Sequence, residues 1–533
     1  MIPAHDRTKR KPPDRPRRRH GDVRHHPRTD HRFGARHLGG AGLRRFARTG
    51  CLLRRQPRER DSFSFGGGRR FGFRFYSDVH RLARQRGQDL RRRLASSIAN
   101  AVTLTLSLLA VLIALFAPQV VRFALAPGLA ADPKLFALTV SLLRIQLISA
   151  VLFGLGGLIV GILNAHQIFL IPALTPALYQ LGIIFGVIFL VPSLGIYGLA
   201  WGVVIGAVFY LFVQFPQLFR LISNLQFPIT SYQFLDFHDA NFRQVMLLMG
   251  PRLLGVAVVQ LNFWVNTWLA SQMAGGSVTG LYYGFSLMLM AQAAIAQSVA
   301  IAAMPTFSAQ HALGQKDEMR SSLASSLRGV ILLALPASVG LIVLREPIVS
   351  LLYQRGEFDG RSVQIVAWAL LWYAAGLVGH SIMEVLTRAF YARHDTKTPV
   401  IIGTAAMLLN VVFSVSFSRL FESIGWMPHG GLALANSLAT ALEAAALFVT
   451  MRKRLNGIEG GYILRGAIPF AAAGLVMGLS LLGWLAFGKL LSVWILVLAG
   501  VAIGAVVYFG ILFALRVPEL SYIANGVMRR LKK

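Results

Sequence analysis

Residues 135–163 read LFALTVSLLRIQLISAVLFGLGGLIVGIL, an apolar run in which Arg144 is the one charged side chain. A helix rises about 1.5 Å per residue, so roughly 20 apolar residues are enough to cross a hydrocarbon layer about 30 Å thick. The length and composition of this run predict a membrane-spanning helix.

Twelve runs of this kind follow one another, and the breaks between them carry Pro, Gly, Asn or charged residues. The pattern predicts an all-α fold, a polytopic membrane helix bundle of about 12 transmembrane helices. The runs cover residues 98–116, 135–163, 169–191, 194–212, 245–273, 280–303, 330–344, 363–386, 399–417, 431–450, 466–487 and 490–515.

The composition excludes a water-soluble globular protein. Of 533 residues 55% are hydrophobic and only 14% are charged, whereas soluble chains carry about a quarter charged residues. The single cysteine, Cys51, allows no intrachain disulfide, and no Cys/His spacing suits a metal. The sequence also lacks a paired nucleophile and base and a phosphate loop, so we expect neither an enzyme nor a cofactor.

Residues 1–93 differ from the rest, with 28 basic and 8 acidic residues and no sustained helical or strand period. Such a segment is expected to be disordered. It is a basic arm for nucleic acid or anionic lipid, a solvated cytoplasmic tail, or a stretch translated from the wrong reading frame. We therefore divide the chain into residues 1–93 and a transmembrane domain of residues 94–533.

The basic residues between the runs predict the orientation. With residues 91–93 in the cytoplasm, the cytoplasmic loops and tail hold 17 Lys and Arg residues and the opposite side holds seven. Cytoplasmic loops carry the excess of positive charge, so the C-terminus is predicted to be cytoplasmic.

Four ionisable side chains fall inside the runs or at their ends, where such groups are costly and mark candidate functional sites. They are Arg144, Arg252, Glu384 and Glu443. Arg144 either extends to the outer interface or points into a central cavity. Arg252 is either a cytoplasmic anchor or a cavity group, and the two glutamates are candidate ion-coupling groups or structural partners of cations.

Amide and hydroxyl side chains cluster on two consecutive runs. Asn262 and Asn266 lie four residues apart on one helix face, so they line a polar cavity or hydrogen-bond a neighbouring helix. Ser286 and Gln292 lie on the next run. These helices are predicted to be walls of a polar, partly cationic cavity that suits an anionic or amphiphilic cargo.

The stretch from Arg388 to Val400, RAFYARHDTKTPV, resembles the signature loop of the MviN/MurJ family of lipid II flippases, which belongs to the multidrug/oligosaccharidyl-lipid/polysaccharide exporter superfamily. The resemblance covers about residues 94–533. Six residues of the loop are taken as signature residues of the family, which are Arg388, Phe390, Tyr391, Asp395, Thr398 and Pro399. Further matches are Leu142-Leu-Arg-Ile145, Gly161-Ile-Leu-Asn-Ala165, Met304-Pro-Thr-Phe-Ser308 and Gln354-Arg-Gly-Glu-Phe358.

The resemblance implies fourteen helices, of which the twelve runs here are the third to the fourteenth. The first two, which carry essential arginines in the family, would lie where the Arg-rich segment stands, so we favour the wrong-frame interpretation. In the eighth helix the family reads Tyr-Tyr-Ala-Asp-Arg-Leu, whereas this chain has Phe285 and Ser286 at the Asp and Arg positions. Arg252 is a candidate replacement for the missing cation.

The resemblance implies that the protein flips lipid II, an undecaprenyl-pyrophosphate-linked peptidoglycan precursor, across the bacterial inner membrane by alternating access. The expected partners are this precursor, membrane lipids and cell-wall synthesis proteins, but not nucleic acid. The alternatives are a related exporter of another polysaccharide lipid or of drugs, a membrane scaffold that recruits partners through its basic arm, and an inactive truncated flippase.

Overall fold

The computed structural model describes residues 88–224, 247, 257 and 260–519, and the segment 1–87 lies outside this range. The described residues form helices and connecting turns. In chain order the long helices are α1 (Gln88–Leu115), α2 (Pro133–Ala165), α3 (Leu170–Phe185), α4 (Ile196–Phe212), α5 (Phe215–Asn224), α6 (Ser277–Gln292), α7 (Ser298–Ala312), α8 (Lys316–Val343), α9 (Arg345–Tyr353), α10 (Gly360–Ala375), α11 (Leu377–Ala392), α12 (Lys397–Ser423), α13 (His429–Arg454), α14 (Gly460–Phe487) and α15 (Val493–Ala514). Residues 260–271 are also helical.

The predicted membrane helices are confirmed wherever the chain is described. Ten spans of the described chain are long and apolar enough to cross a bilayer, and the pair α10–α11, bent by 48°, makes an eleventh when its two helices are counted as one span. These eleven match eleven of the twelve predicted runs. The remaining run, residues 245–273, is described mainly over its second half, residues 260–271.

The bend between α10 and α11 occurs at Gly376, where the backbone approaches α13 closely. A Cβ at Gly376 would lie 2.4 Å from the Ser437 hydroxyl oxygen. Two serine hydroxyls satisfy carbonyls at the end of α10, Ser338 donating to Ala374 and Ser437 donating to Trp372, each at 2.7 Å. Hydroxyls of neighbouring helices therefore replace helix hydrogen bonds lost at the break.

A seam of glycines holds α3 and its continuation against α4. A Cβ at Gly182 would lie 2.2 Å from the Gly206 Cα, and a Cβ at Gly186 would lie 2.3 Å from the Gly202 Cα. The Gly202 and Gly206 spacing thus serves contact between helices of one chain.

A buried ion pair ties the segment after α15 to the bundle. Arg328 of α8 lies 2.6 Å from a carboxylate oxygen of Glu519, and both side chains are largely buried. The Arg328 guanidinium also lies over the Tyr462 ring and donates to the Tyr462 carbonyl at 3.1 Å. Since removing one partner of a buried pair leaves the other charge unpaired, this contact fixes α8, α14 and the segment just after α15 together.

The glycine seam predicts a position-dependent effect of a bulky residue. Gly206→Leu places a side chain where a Cβ would lie 2.4 Å from the Tyr179 carbonyl oxygen, so α3 and α4 must separate. Overpacking of this kind costs roughly 1–3 kcal/mol or more. We expect a lower thermal unfolding midpoint in detergent and less monodisperse protein.

The control is Gly510→Leu, because a Cβ at Gly510 of α15 has no neighbour within 4 Å among the described residues outside its own helix turn. We expect it to unfold like the unaltered protein. Equal loss of stability in both variants would contradict intrachain packing at the seam.

Candidate functional site

Four polar side chains form a ladder between the helical segment 260–271 and α12. Asn266 donates to Asn262 at 3.0 Å, and Asn410 donates to the same Asn262 oxygen at 3.3 Å. The Ser414 hydroxyl lies 3.0 Å from both the Asn266 and the Asn410 side-chain oxygens. Of the two alternatives open for Asn262 and Asn266, hydrogen bonding to a neighbouring helix is the one that the described geometry shows.

Arg144 bridges α1 and α2. Its Nε donates to the carbonyl of Ala114 at 3.1 Å, near the end of α1, where helix carbonyls lack intrahelical donors. Its two terminal nitrogens make no hydrogen bond to any described residue. A guanidinium held by one nitrogen and open at the other two can still bind an oxyanion bidentately.

The side chains of Phe285 and Ser286 are occupied by structural contacts. The Phe285 ring lies 5.6 Å from the Phe263 ring and 5.2 Å from the Tyr373 ring, measured between centroids. The Ser286 hydroxyl donates to the Tyr282 carbonyl of its own helix at 2.7 Å. This part of α6 thus presents aromatic packing where the family sequence carries a charged pair.

Gln292 is buried at the end of α6. It directly precedes a π-helical turn at Ala293–Gln297, which continues into α7. Such turns widen a helix locally and are frequent at functional sites. Gln292 therefore stays a candidate cavity residue, while Ser286 is held by its own helix.

The two glutamates have different surroundings. Glu384 accepts from Arg388, one turn along α11, at 3.1 Å, and both side chains are largely buried. Glu443 of α13 is partly buried and faces the backbone of α12, where a Cβ at Gly403 would lie 3.1 Å from its Oε1. Among the described residues it has no hydrogen-bond donor and no cation.

The signature loop closes the end of the bundle where α11, α12 and α13 meet. The Asp395 carboxylate accepts from the backbone amide of Thr398 at 3.1 Å and from its hydroxyl at 2.8 Å. Arg454, at the end of α13, pairs with Asp395, donates to the Thr398 hydroxyl at 2.9 Å and lies over the Phe390 ring. We call Asp395, Thr398 and Arg454 the loop clasp.

The other signature residues surround this clasp. Phe390 is fully buried, Pro399 is buried in the first turn of α12, and Tyr391 is half-buried. Arg388 points back along α11 toward Glu384. The loop residues therefore join helices.

Burial alone raises the pKa of the Asp395 carboxyl, but the Thr398 hydrogen bonds and the Arg454 charge outweigh it and hold the pKa below its usual range. Asp395 is thus ionised at neutral pH. Its contribution to stability is complete at every pH at which Asp395 is ionised in the unfolded chain as well.

Arg252 and residues 1–87 lie outside the described residues, so their predicted roles stay predictions. Sequence reasoning missed Asn410 and Ser414, whose spacing of four on α12 repeats that of Asn262 and Asn266. It also missed Arg454. The sequence signal that could have identified Asn410 and Ser414 was their i,i+4 spacing as polar residues within an apolar run.

The family model described as lipid II flippase MurJ matches residues 75–515. The chain belongs to the MurJ family of lipid II flippases. The match begins ahead of residue 94, and the division of the chain at that point stays a prediction.

Two MurJ relatives illustrate the similarity. The lipid II flippase MurJ of Burkholderia cenocepacia is 30% identical over 441 residues, covering 81% of this chain and 84% of the relative. The probable lipid II flippase MurJ of Vibrio cholerae is 30% identical over 370 residues, 67% of each chain. The resemblance read from the signature loop is therefore confirmed.

Solved structures agree with the MurJ assignment at the level of fold. A lipid II flippase MurJ in an inward closed conformation matches with a TM-score of 0.66 at 22% identity, covering 83% of this chain and 90% of that one. An inward-facing multidrug transporter of the MATE family gives 0.58 at 15% identity, covering 73% and 86%. The predicted helix-bundle exporter fold is confirmed.

The loop clasp of this MurJ protein predicts a stability effect with a defined pH range. Asp395→Asn removes the charge that Arg454 meets, which is worth about 1–2 kcal/mol for a partly exposed pair. We expect a thermal midpoint lower by a few degrees at pH 7. Because the folded pKa is depressed, the difference persists above the ordinary Asp pKa near 3.8 and disappears as the pH falls through the folded pKa.

Asp359→Asn is the matched control, because Asp359 caps α10 through the Ser362 amide and hydroxyl, both at 2.8 Å, and pairs with no described arginine. Unfolding is followed by intrinsic fluorescence. The double mutant with Arg454→Gln should lose less than the sum of the two single losses, because both single substitutions break the same ion pair. Strictly additive losses would contradict the clasp.

Proposed function

We propose that this protein moves lipid II, the undecaprenyl-pyrophosphate-linked peptidoglycan precursor, from the inner to the outer leaflet of the cytoplasmic membrane. The observation that supports this most is the MurJ family match over residues 75–515, together with the 30% identity to a relative named as a lipid II flippase. The chain is a multi-pass inner-membrane protein, and its family consists of transporters.

The cargo couples a doubly charged pyrophosphate head to a long apolar tail. We infer that the head passes between helices while the tail stays in lipid, and that halves of the bundle rock against each other. Arg144 supports this role because its terminal nitrogens have no partner among the described side chains or carbonyls. Two parallel N–H bonds to phosphate oxygens suit this geometry.

Because α6 lacks the cation that the family resemblance implies, we propose that a second cation besides Arg144 binds the head group. Phe285 and Ser286 are used in packing, so neither meets a phosphate. We propose Arg252, on the preceding run, as the replacement, and Gln292 as a further cavity residue, whereas Asn262 and Asn266 are engaged in the ladder with α12. Arg252 lies outside the described residues, so the sequence alone supports this role.

We propose that Glu443 couples transport to an ion. A carboxyl group in the hydrocarbon layer is costly and marks function when no cation offsets it. Glu443 has no such cation in the described part of the bundle, whereas Glu384 has Arg388. Glu443 is therefore free to take up and release a proton or a monovalent cation, and Glu384 is a structural partner.

The bias of 17 to seven basic residues supports a cytoplasmic C-terminus. In this orientation the loop clasp and the ends of α11 and α13 face the cytoplasm. Lipid II is assembled on that side, so cell-wall synthesis proteins that deliver it would meet this face.

Transport is tested with the full chain in vesicles that contain fluorescent lipid II, where translocated molecules become accessible to an external quencher. We expect the unaltered chain to accelerate translocation and Arg144→Ala to slow it. The loss of a bidentate charge-assisted contact of about 1.5–3 kcal/mol corresponds to roughly 10–100-fold.

Arg419→Ala is the control, because Arg419 is an exposed arginine of α12 without a described partner. Equal effects of both substitutions would exclude a specific role for Arg144. If the unaltered chain moves no lipid II but exports a fluorescent cationic drug, the drug-exporter alternative is correct. If it moves neither, the chain is inactive.

A further inference from the structure

Three consecutive basic residues end α13, and they have two different surroundings. Arg454 turns toward the bundle and pairs with Asp395 in the loop clasp. The Arg452 and Lys453 side chains are exposed and make no ion pair or hydrogen bond with any described residue. Glu459, the next carboxylate along the chain, accepts from the Ser321 hydroxyl at 2.5 Å. Two adjacent cations are thus left without an acidic partner.

These two cations line an open cavity of about 490 Å³ on the outside of the bundle. A cavity of this size is large enough for a phosphate with its ester groups. The lining residues are Phe448, Val449, Arg452, Lys453, Asn456 and Gly457.

The cavity has an apolar half and a polar half, one helical turn apart. Phe448 precedes Arg452 by four residues and Val449 precedes Lys453 by four, so each cation lies beside an apolar side chain on the same helix face. Val449 is 51% exposed and lies on the surface that the span His429–Arg454 offers to lipid. Along the helix toward its C-terminal end, the cavity is lined first by the apolar side chains, then by the two cations and last by the side-chain amide of Asn456.

The backbone at the end of α13 leaves the cations and the Asn456 amide available to a ligand. The backbone N–H of Gly457 donates to the Arg452 carbonyl at 2.8 Å, and the backbone N–H of Asn456 donates to the Lys453 carbonyl at 3.3 Å. The side-chain amide of Asn456 has no partner among the described residues. Asn456 and Gly457 adopt positive φ values of 54° and 128° to make this turn. Two carbonyls that would repel an anion are therefore already satisfied.

We propose that this cavity is a binding site for the phosphate head group of an anionic phospholipid such as phosphatidylglycerol. Arg452, Lys453 and the Asn456 amide bind the phosphate, and the acyl chains lie against Phe448 and Val449. The charge complementarity and the exposed apolar face beside it favour a lipid over a soluble phosphate, which would gain nothing from the apolar half. The lipid would hold the end of α13 in the membrane interface next to the loop clasp.

This proposal does not depend on lipid II transport, because it concerns the lipid-facing side of α13. The test uses the full chain in nanodiscs of phosphatidylcholine that contain a photoactivatable phosphatidylglycerol. Cross-linked peptides are mapped by mass spectrometry, and we expect labelling of the peptide that contains residues 448–457.

The variant is Arg452→Gln/Lys453→Gln. Each basic residue near an anionic surface is worth about 1 kcal/mol, so the variant should bind phosphatidylglycerol at this peptide roughly thirtyfold more weakly. The control, Lys316→Gln/Arg465→Gln, removes the same charge from exposed positions on the same predicted face. It should label like the unaltered chain, and the thermal midpoints of both variants should match.

Three results would overturn the proposal. Equal loss in both double variants would show unspecific attraction to anionic lipid. Unchanged labelling in Arg452→Gln/Lys453→Gln would show that the cavity does not bind the head group. Displacement of the photoactivatable lipid by inorganic phosphate would show a site for soluble phosphate.

Discussion

The hydrocarbon layer offers no hydrogen-bond partner, and the rest of this structure depends on that constraint. Every polar group that enters the membrane must be satisfied by the protein itself or be costly. The amide ladder between residues 260–271 and α12, the Ser338 and Ser437 hydroxyls at the bend after α10, and the Arg388–Glu384 pair are responses to it. Because these contacts join different helices, they also determine which helices are neighbours.

The same constraint separates structural polar groups from those available for function. Glu384 has a cation one turn away, and Ser286 has a carbonyl of its own helix. Arg144 keeps two terminal nitrogens open, and Glu443 has no partner among the described residues. A transporter needs a few groups of the second kind, since a side chain already satisfied gains little from a substrate or an ion. The polar residues of the family signature, by contrast, are mainly structural, because the loop clasp already supplies their partners.

The sequence predicted the helices well because hydropathy and helix length depend on local composition. Eleven of the twelve runs appear as spans when the bent pair α10–α11 is counted as one. Which polar residues pair could not be predicted, because Asn262 and Asn410 are far apart in sequence and meet only through the arrangement of their helices. Arg388 illustrates the limit, since it was identified as a signature residue without its partner Glu384. The prediction of the function came from the sequence motifs, not from the composition.

We infer that polar groups without a partner carry transport, while those with a partner hold the fold. Glu443→Gln and Glu384→Gln test this most directly, because both remove one carboxylate charge from a membrane helix. For each variant, the thermal midpoint and the rate of lipid II translocation with and without an imposed ion gradient are measured in vesicles. We expect Glu443→Gln to keep the midpoint and lose the response to the gradient, and Glu384→Gln to lower the midpoint and keep the response; this is the inference under test. The same response to the gradient in Glu443→Gln as in the unaltered chain would contradict it.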